Sequence, residues 1–86
     1  MATLMERLQH VLTEHFPGSI AELEQANPSE KIGGYLIWDG FEDLEQLDRQ
    51  RRLGQVVRSG LPREDQLRVT TIFTFTPTEV ALMREN

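Results

Sequence analysis

The chain contains no cysteine. That absence excludes disulfides, thiolate metal sites and cysteine nucleophiles. Imidazoles are almost as scarce. His10 and His15 are the two present, and their spacing of five separates them around a helix, unlike the i, i+4 pair that shares a metal. No metal site is expected. No apolar run approaches a membrane span, and the N-terminal residues lack a basic-then-apolar signal order, so no membrane contact and a cytoplasmic location are expected. Gly33-Gly34 lacks the spacing of a phosphate loop and no Lys-Ser/Thr follows it. Ser19, Ser29 and Ser59 sit in turn-like stretches with no histidine nearby in sequence. Carboxylates are plentiful, but clustered ones are ordinarily surface residues rather than acid–base pairs. The expectation is a non-enzymatic protein without a cofactor.

What remains is 86 residues, 38% of them hydrophobic. That length suits one small domain spanning 1–86, with a core small enough that a partner or a homodimer is expected to support it. The net charge of −5 is unevenly placed: residues 1–48 carry −8 and residues 49–86 carry +3. Such asymmetry marks either a basic face on an acidic protein or two oppositely charged halves packed together.

Leu4, Leu8, Val11, Leu12 and His15 or Phe16 recur at helical spacing, predicting a helix over 3–16 with a Thr3/Glu6 capping box. Pro17-Gly18 ends it. Residues 19–26 are read as a strand, although Glu, Gln and Ala also allow a helix. Asn27-Pro28-Ser29 is a turn, and 31–39 a second strand in which Gly33-Gly34 marks a bulge or a close approach. A helix is predicted over 43–58, capped by Asp43 or a neighbour, with Leu44, Leu47, Leu53, Val56 and Val57 as its apolar positions. Gly54 inside it costs about 1 kcal/mol relative to Ala and is expected to permit close packing on the sheet. Pro62 opens a short helical turn over 62–66. In 67–75, Leu67, Val69, Thr71, Phe73 and Phe75 alternate with Arg68, Thr70 and Thr74, Ile72 being the exception, as in a strand. Thr76, Pro77 and Glu79 start a last helix with a capping box, docked by Val80, Leu82 and Met83. The order α-β-β-α-(α)-β-α describes a two-layer α+β domain, a three-stranded sheet with helices on one face.

This order, the FED turn at Phe41, the Arg49-Gln50-Arg51 triplet and the junction FTFTPTEV from Phe73 to Val80 together resemble the BolA family. The family's signature in the triplet is Arg-His-Arg, and its last strand ends in Thr-x-Thr-Pro-x-Glu. The resemblance covers most of residues 3–82 and implies a fold like class II KH domains. It also implies partnership with a monothiol glutaredoxin around a shared iron–sulfur cluster. The BolA-side ligands would be a histidine before the last strand and a Cys or His between the first two strands. Here those positions fall near Arg68 and within Asn27–Gly34, and the signature histidine is Gln50. Arginine has no lone pair to offer and glutamine is a poor iron ligand. The chain departs from the family at its metal chemistry.

Two functions follow from different classes. The first is an adaptor or regulator acting through protein contacts, with Arg49, Gln50, Arg51, Arg52, Arg58 and Arg68 as its contact residues. The second is a nucleic-acid-binding, transcription-regulating module using the arginines from 49 to 68. Against the second, Ser59-Gly60-Leu61-Pro62 lacks the glycine loop that clamps phosphates in KH domains, and an acidic protein repels phosphate. In the blander reading, these arginines pair with the carboxylates around Glu42 to Asp48. Trp38 and Phe41 are expected in the core.

Overall fold

Helix α1 (Leu4–His15) begins where local chemistry directs it. The Thr3 hydroxyl accepts from the Glu6 N–H at 3.1 Å, and the Glu6 carboxylate accepts from the Thr3 N–H at 3.2 Å. Its apolar stripe of Leu4, Leu8 and Leu12 is buried and continues into Phe16. The computed structural model describes residues 2–25 and 31–85. The Asn27-Pro28-Ser29 turn and the Ala26 end of the first predicted strand lie outside them. Gly18, at φ 82°, turns the chain into β1 (Ile20–Glu24). That segment is a strand despite its poor strand propensity, because the central strand supplies a full antiparallel ladder, from Ile20 opposite Ile37 to Glu24 opposite Gly33.

The sheet order is β1-β2-β3, with β2 (Ile32–Ile37) antiparallel to β1 and parallel to β3 (Val69–Phe75). The parallel pair requires a crossover. Helix α2 (Gln46–Gly60) and the short α3 (Arg63–Gln66) provide it, and α4 (Pro77–Arg84) closes the chain. The register shifts between Ile32 and Gly34, so the Gly33-Gly34 pair does mark a bulge. Gly34 has φ 142°, and a Cβ there would run into the backbone of Glu22 and Leu23.

Helix α2 starts later than expected. Asp39–Phe41 form a single 3-10 turn, Glu45 occupies the cap position without a side-chain bond, and Asp43 caps nothing. Leu47, expected on the apolar face, is therefore 62% exposed, whereas Leu44 packs on the core from the connecting segment. Pro62 is the cap of α3 rather than its first residue. The close approach falls at Gly60, not Gly54: a Cβ on Gly60 would meet Val11 Cγ1 of α1 at 2.5 Å, while one on Gly54 would meet only the Arg58 guanidinium, at 3.1 Å.

Helices α1 and α2 cover one sheet face. Ala21 and Leu23 of β1, Ile32 and Leu36 of β2 and Ile72 of β3 point into that layer. In β3 the buried set is thus Ile72 and Thr74, and Phe73, from the alternating apolar set, is 57% exposed on the other face. Phe41 is fully buried and Trp38 is half-buried beside it. With Phe16 they form a triangle of tilted and edge-on rings at 5.1–5.6 Å, fixed where the Trp38 Nε1–H donates to the Pro17 carbonyl at 2.9 Å. On the other face Tyr35 packs edge-on to Phe75. A hydrogen bond to Glu22, with burial, holds the Tyr35 hydroxyl above its ordinary pKa, and Arg84 at the end of α4 opposes this. In α4 the Thr76/Glu79 capping box is present and Val80 is buried, but Leu82 and Met83 are exposed.

These contacts separate the two helical glycines. Gly54→Ala is expected to stabilise the fold by up to about 1 kcal/mol, since a mobile arginine can yield to the new methyl. Gly60→Ala is expected to destabilise it by about 1–3 kcal/mol through overpacking against Val11. Urea unfolding of the two variants checks the opposite signs.

Candidate functional site

The face worth testing lies where α2 meets β3, because the residues expected to make contacts cluster there in sequence. The fold separates them. Arg49 is 5% exposed. Its Nε–H donates to the Leu44 carbonyl at 2.8 Å, and Nη1 and Nη2 reach the Glu79 carboxylate at 2.8 and 3.3 Å. Its guanidinium also lies 5.8 Å from the Phe41 ring centre. Arg49, expected as a contact residue, therefore spends its charge inside the molecule and presents almost no surface to a partner. Gln50 is exposed, yet its Nε2 donates to the Ile72 carbonyl at 3.0 Å and lies 3.3 Å from the Thr74 hydroxyl. Arg51 is exposed and only loosely paired with Asp48, at 3.8 Å. Arg52 turns the other way and covers the Trp38 ring at 5.4 Å. Arg68 is half-buried at the approach to β3, where its carbonyl accepts from the Ile32 N–H.

Gln50 and Arg58 do come together, along an open groove of about 460 Å³ between α2, α3 and β3. Leu53, Val57, Val69 and Ile72 give it an apolar floor. Arg58, Arg63 and Leu67 form its lip. Leu67 is 71% exposed. Among the described residues no carboxylate lines the groove, and neither Arg58 nor Arg63 enters an ion pair. Arg63 and Leu67 were not in the expected contact set. The available signal was the run Arg58, Arg63, Arg68 across a helix break, three cations with few acids between them.

Few of the donors an iron–sulfur cluster would need are present. The Gln50 amide is engaged with β3, and Arg68 stands at the other implied position. His10 pairs with Glu14 at 3.0 Å and the His15 ring lies 3.0 Å from the Val11 carbonyl, both exposed on α1. No group of three or more His, Cys, Asp or Glu among the described residues could hold a metal ion. The residues present do not fit the family's cluster. No helix among the described residues is long and apolar enough to cross a membrane.

The Arg49–Glu79 pair supplies a measurable consequence. The Arg49 guanidinium, helped by the Thr76 N–H, holds the Glu79 carboxyl below its ordinary pKa. A depressed carboxylate adds stability above its unfolded pKa and loses it as pH falls through the lowered folded value. Glu79 is 41% exposed, so solvent screens much of this. Glu79→Gln is expected to flatten the acid limb of the stability–pH curve below about pH 4.5. Arg49→Ala is expected to cost about 2–4 kcal/mol at neutral pH, since the Leu44 carbonyl loses its side-chain donor, Glu79 loses its ion pair and the buried stem leaves a gap beside Phe41. Thermal melts across pH check both.

No family profile, curated protein or solved structure matches the chain.

Proposed function

We propose that this chain is a BolA-like, non-enzymatic adaptor or regulator that works through protein contacts at the α2–β3 face. The observation that carries the reading is the division of labour among its arginines. Arg49 is committed to the fold, while Arg51, Arg58 and Arg63 stand at the surface with at most a loose partner among the described residues. Cations left loosely paired or without an ion pair among the described residues, in a protein of net charge −5, are a basic patch with a use for an outside anion, because an acidic surface could have neutralised them at no cost in packing. The element order and the mixed three-stranded sheet agree with the fold that the BolA resemblance implies. The absence of fitting cluster ligands directs the role toward contact and away from metal delivery.

Nucleic-acid binding is the second reading, and the same arginines favour it. It is weakened by the turn Ser59-Gly60-Leu61-Pro62, which carries one glycine and a proline where a phosphate clamp needs a flexible glycine loop.

Mixing the chain anaerobically with a monothiol glutaredoxin, iron and sulfide tests the first reading by size exclusion and visible absorption. The expected result is co-elution without a spectrum distinct from that of the glutaredoxin cluster alone, lost on Arg51→Glu with Arg58→Glu. A coloured heterodimer with its own spectrum would overturn the ligand-free reading. Elution of the two proteins apart would remove glutaredoxin as the partner, and a salt-sensitive shift with single-stranded DNA would then move the assignment to nucleic acid.

A further inference from the structure

We propose that the groove between α2, α3 and β3 docks a short acidic peptide segment of a partner protein. One apolar side chain of that segment would sit on the Leu53–Val57–Val69 floor, with carboxylates against Arg58 and Arg63. The inference rests on the adaptor reading and specifies its partner chemistry.

Three features of the groove select this occupant. The first is charge. Among the described residues its charged lining consists of two arginines and no acid, on a protein whose net charge is −5. The local potential is therefore opposite in sign to that of the whole, which favours a short anion over a long one. Two arginines match a peptide carrying a few carboxylates, whereas a nucleic-acid strand needs a longer run of cations along its backbone. The second is the floor. Val57 and Val69 present aliphatic surface over the buried Leu53 and Ile72, and among the described residues no aromatic ring lines the groove to stack a base. An aliphatic floor suits a leucine-like anchor. The third is the strand edge. The free edge of β3 would otherwise invite an added strand. However, Gln50 already donates to the Ile72 carbonyl, and Gln46 donates to the Thr74 carbonyl at 3.1 Å. The occupant is thus held by an anchor side chain and by charge, not by a new ladder. Gly54 keeps the α2 wall low, and the Arg58 guanidinium lies across it, within reach of a carboxylate entering from solvent.

The test is a selection from a displayed library of random linear peptides on the immobilised full chain, with the Arg58→Glu, Arg63→Glu double variant as counter-target. Selected peptides are then titrated into isotope-labelled full chain and followed by NMR. The expected consensus is Asp or Glu flanking a Leu, Ile or Phe. The expected shifts fall on the amides of Gly54, Val57, Gln66 and Thr70, with binding weakened about ten-fold or more by the double variant and by high salt. Arg58→Gln with Arg63→Gln serves as the milder pair should the charge reversals disturb the spectrum elsewhere.

Failure to enrich any peptide, a basic or purely apolar consensus, or displacement of the peptide by oligo(dT) at lower concentration would each overturn the inference. Peptides that bind the double variant equally well and shift residues outside the groove would overturn this site while leaving the adaptor reading intact. Groove binding with no glutaredoxin co-elution would support the site and remove only that partner.

Discussion

The fold turns on one buried cation. Arg49 sits in the first turn of α2 and touches three other parts of the chain: the Leu44 carbonyl in the segment entering the helix, the Thr74 carbonyl of β3 at 3.5 Å, and the Glu79 carboxylate in the first turn of α4. Its plane also packs near Phe41, the central ring of the aromatic triangle. A guanidinium carries five donors in a fixed fork, so one side chain can fix the relative positions of a helix, a strand and a second helix. Burying it is tolerable because each face of that fork finds an acceptor and because Glu79 remains half in water. Glu79 in turn is fixed by its cap role, accepting from the Thr76 N–H at 2.8 Å. The cap of α4 and the anchor of α2 are the same carboxylate.

The second constraint is the sheet's two open edges. A three-stranded sheet leaves β1 and β3 with unpaired carbonyls that could recruit other chains. Both edges carry glutamine amides from the flanking helices. Gln9 of α1 donates to the Ala21 carbonyl at 3.1 Å, and Gln46 and Gln50 of α2 donate to β3. The buried Thr74 hydroxyl completes the arrangement by donating to Gln46 Oε1 at 2.9 Å. A primary amide offers both a donor and an acceptor, which is what a strand edge presents, so it satisfies the edge without extending it.

Much of this was legible from residue order. Both capping boxes, the Gly33-Gly34 bulge, the α-β-β-α-α-β-α order and the core places of Leu8, Leu12 and Phe41 follow from local rules that act over three or four residues. What was not legible depended on distant partners. Arg49 reads as surface charge because nothing near it in sequence reveals that Glu79, thirty residues on, will meet it. The buried face of β3 was hidden because its apolar alternation marks Phe73 and Phe75, whereas the side toward α2 is held by Ile72 and by a threonine whose hydroxyl is satisfied only once α2 docks. The groove was hidden for the same reason: its walls come from three elements, and only its arginines left a trace in the sequence.

The identity of residue 50 links fold and role. The BolA resemblance places a histidine there, and a histidine serving a metal must keep one ring nitrogen turned outward with its lone pair free. Glutamine at this position instead turns its amide inward to the Ile72 carbonyl and the Thr74 hydroxyl. Its donor capacity goes to two oxygens of the β3 edge. Beside these bonds Arg58 and Arg63 are exposed and Val57 is half-buried, over the buried Leu53. An amide at this position thus ties α2 to β3 through a pair of hydrogen bonds and offers no imidazole nitrogen to a metal.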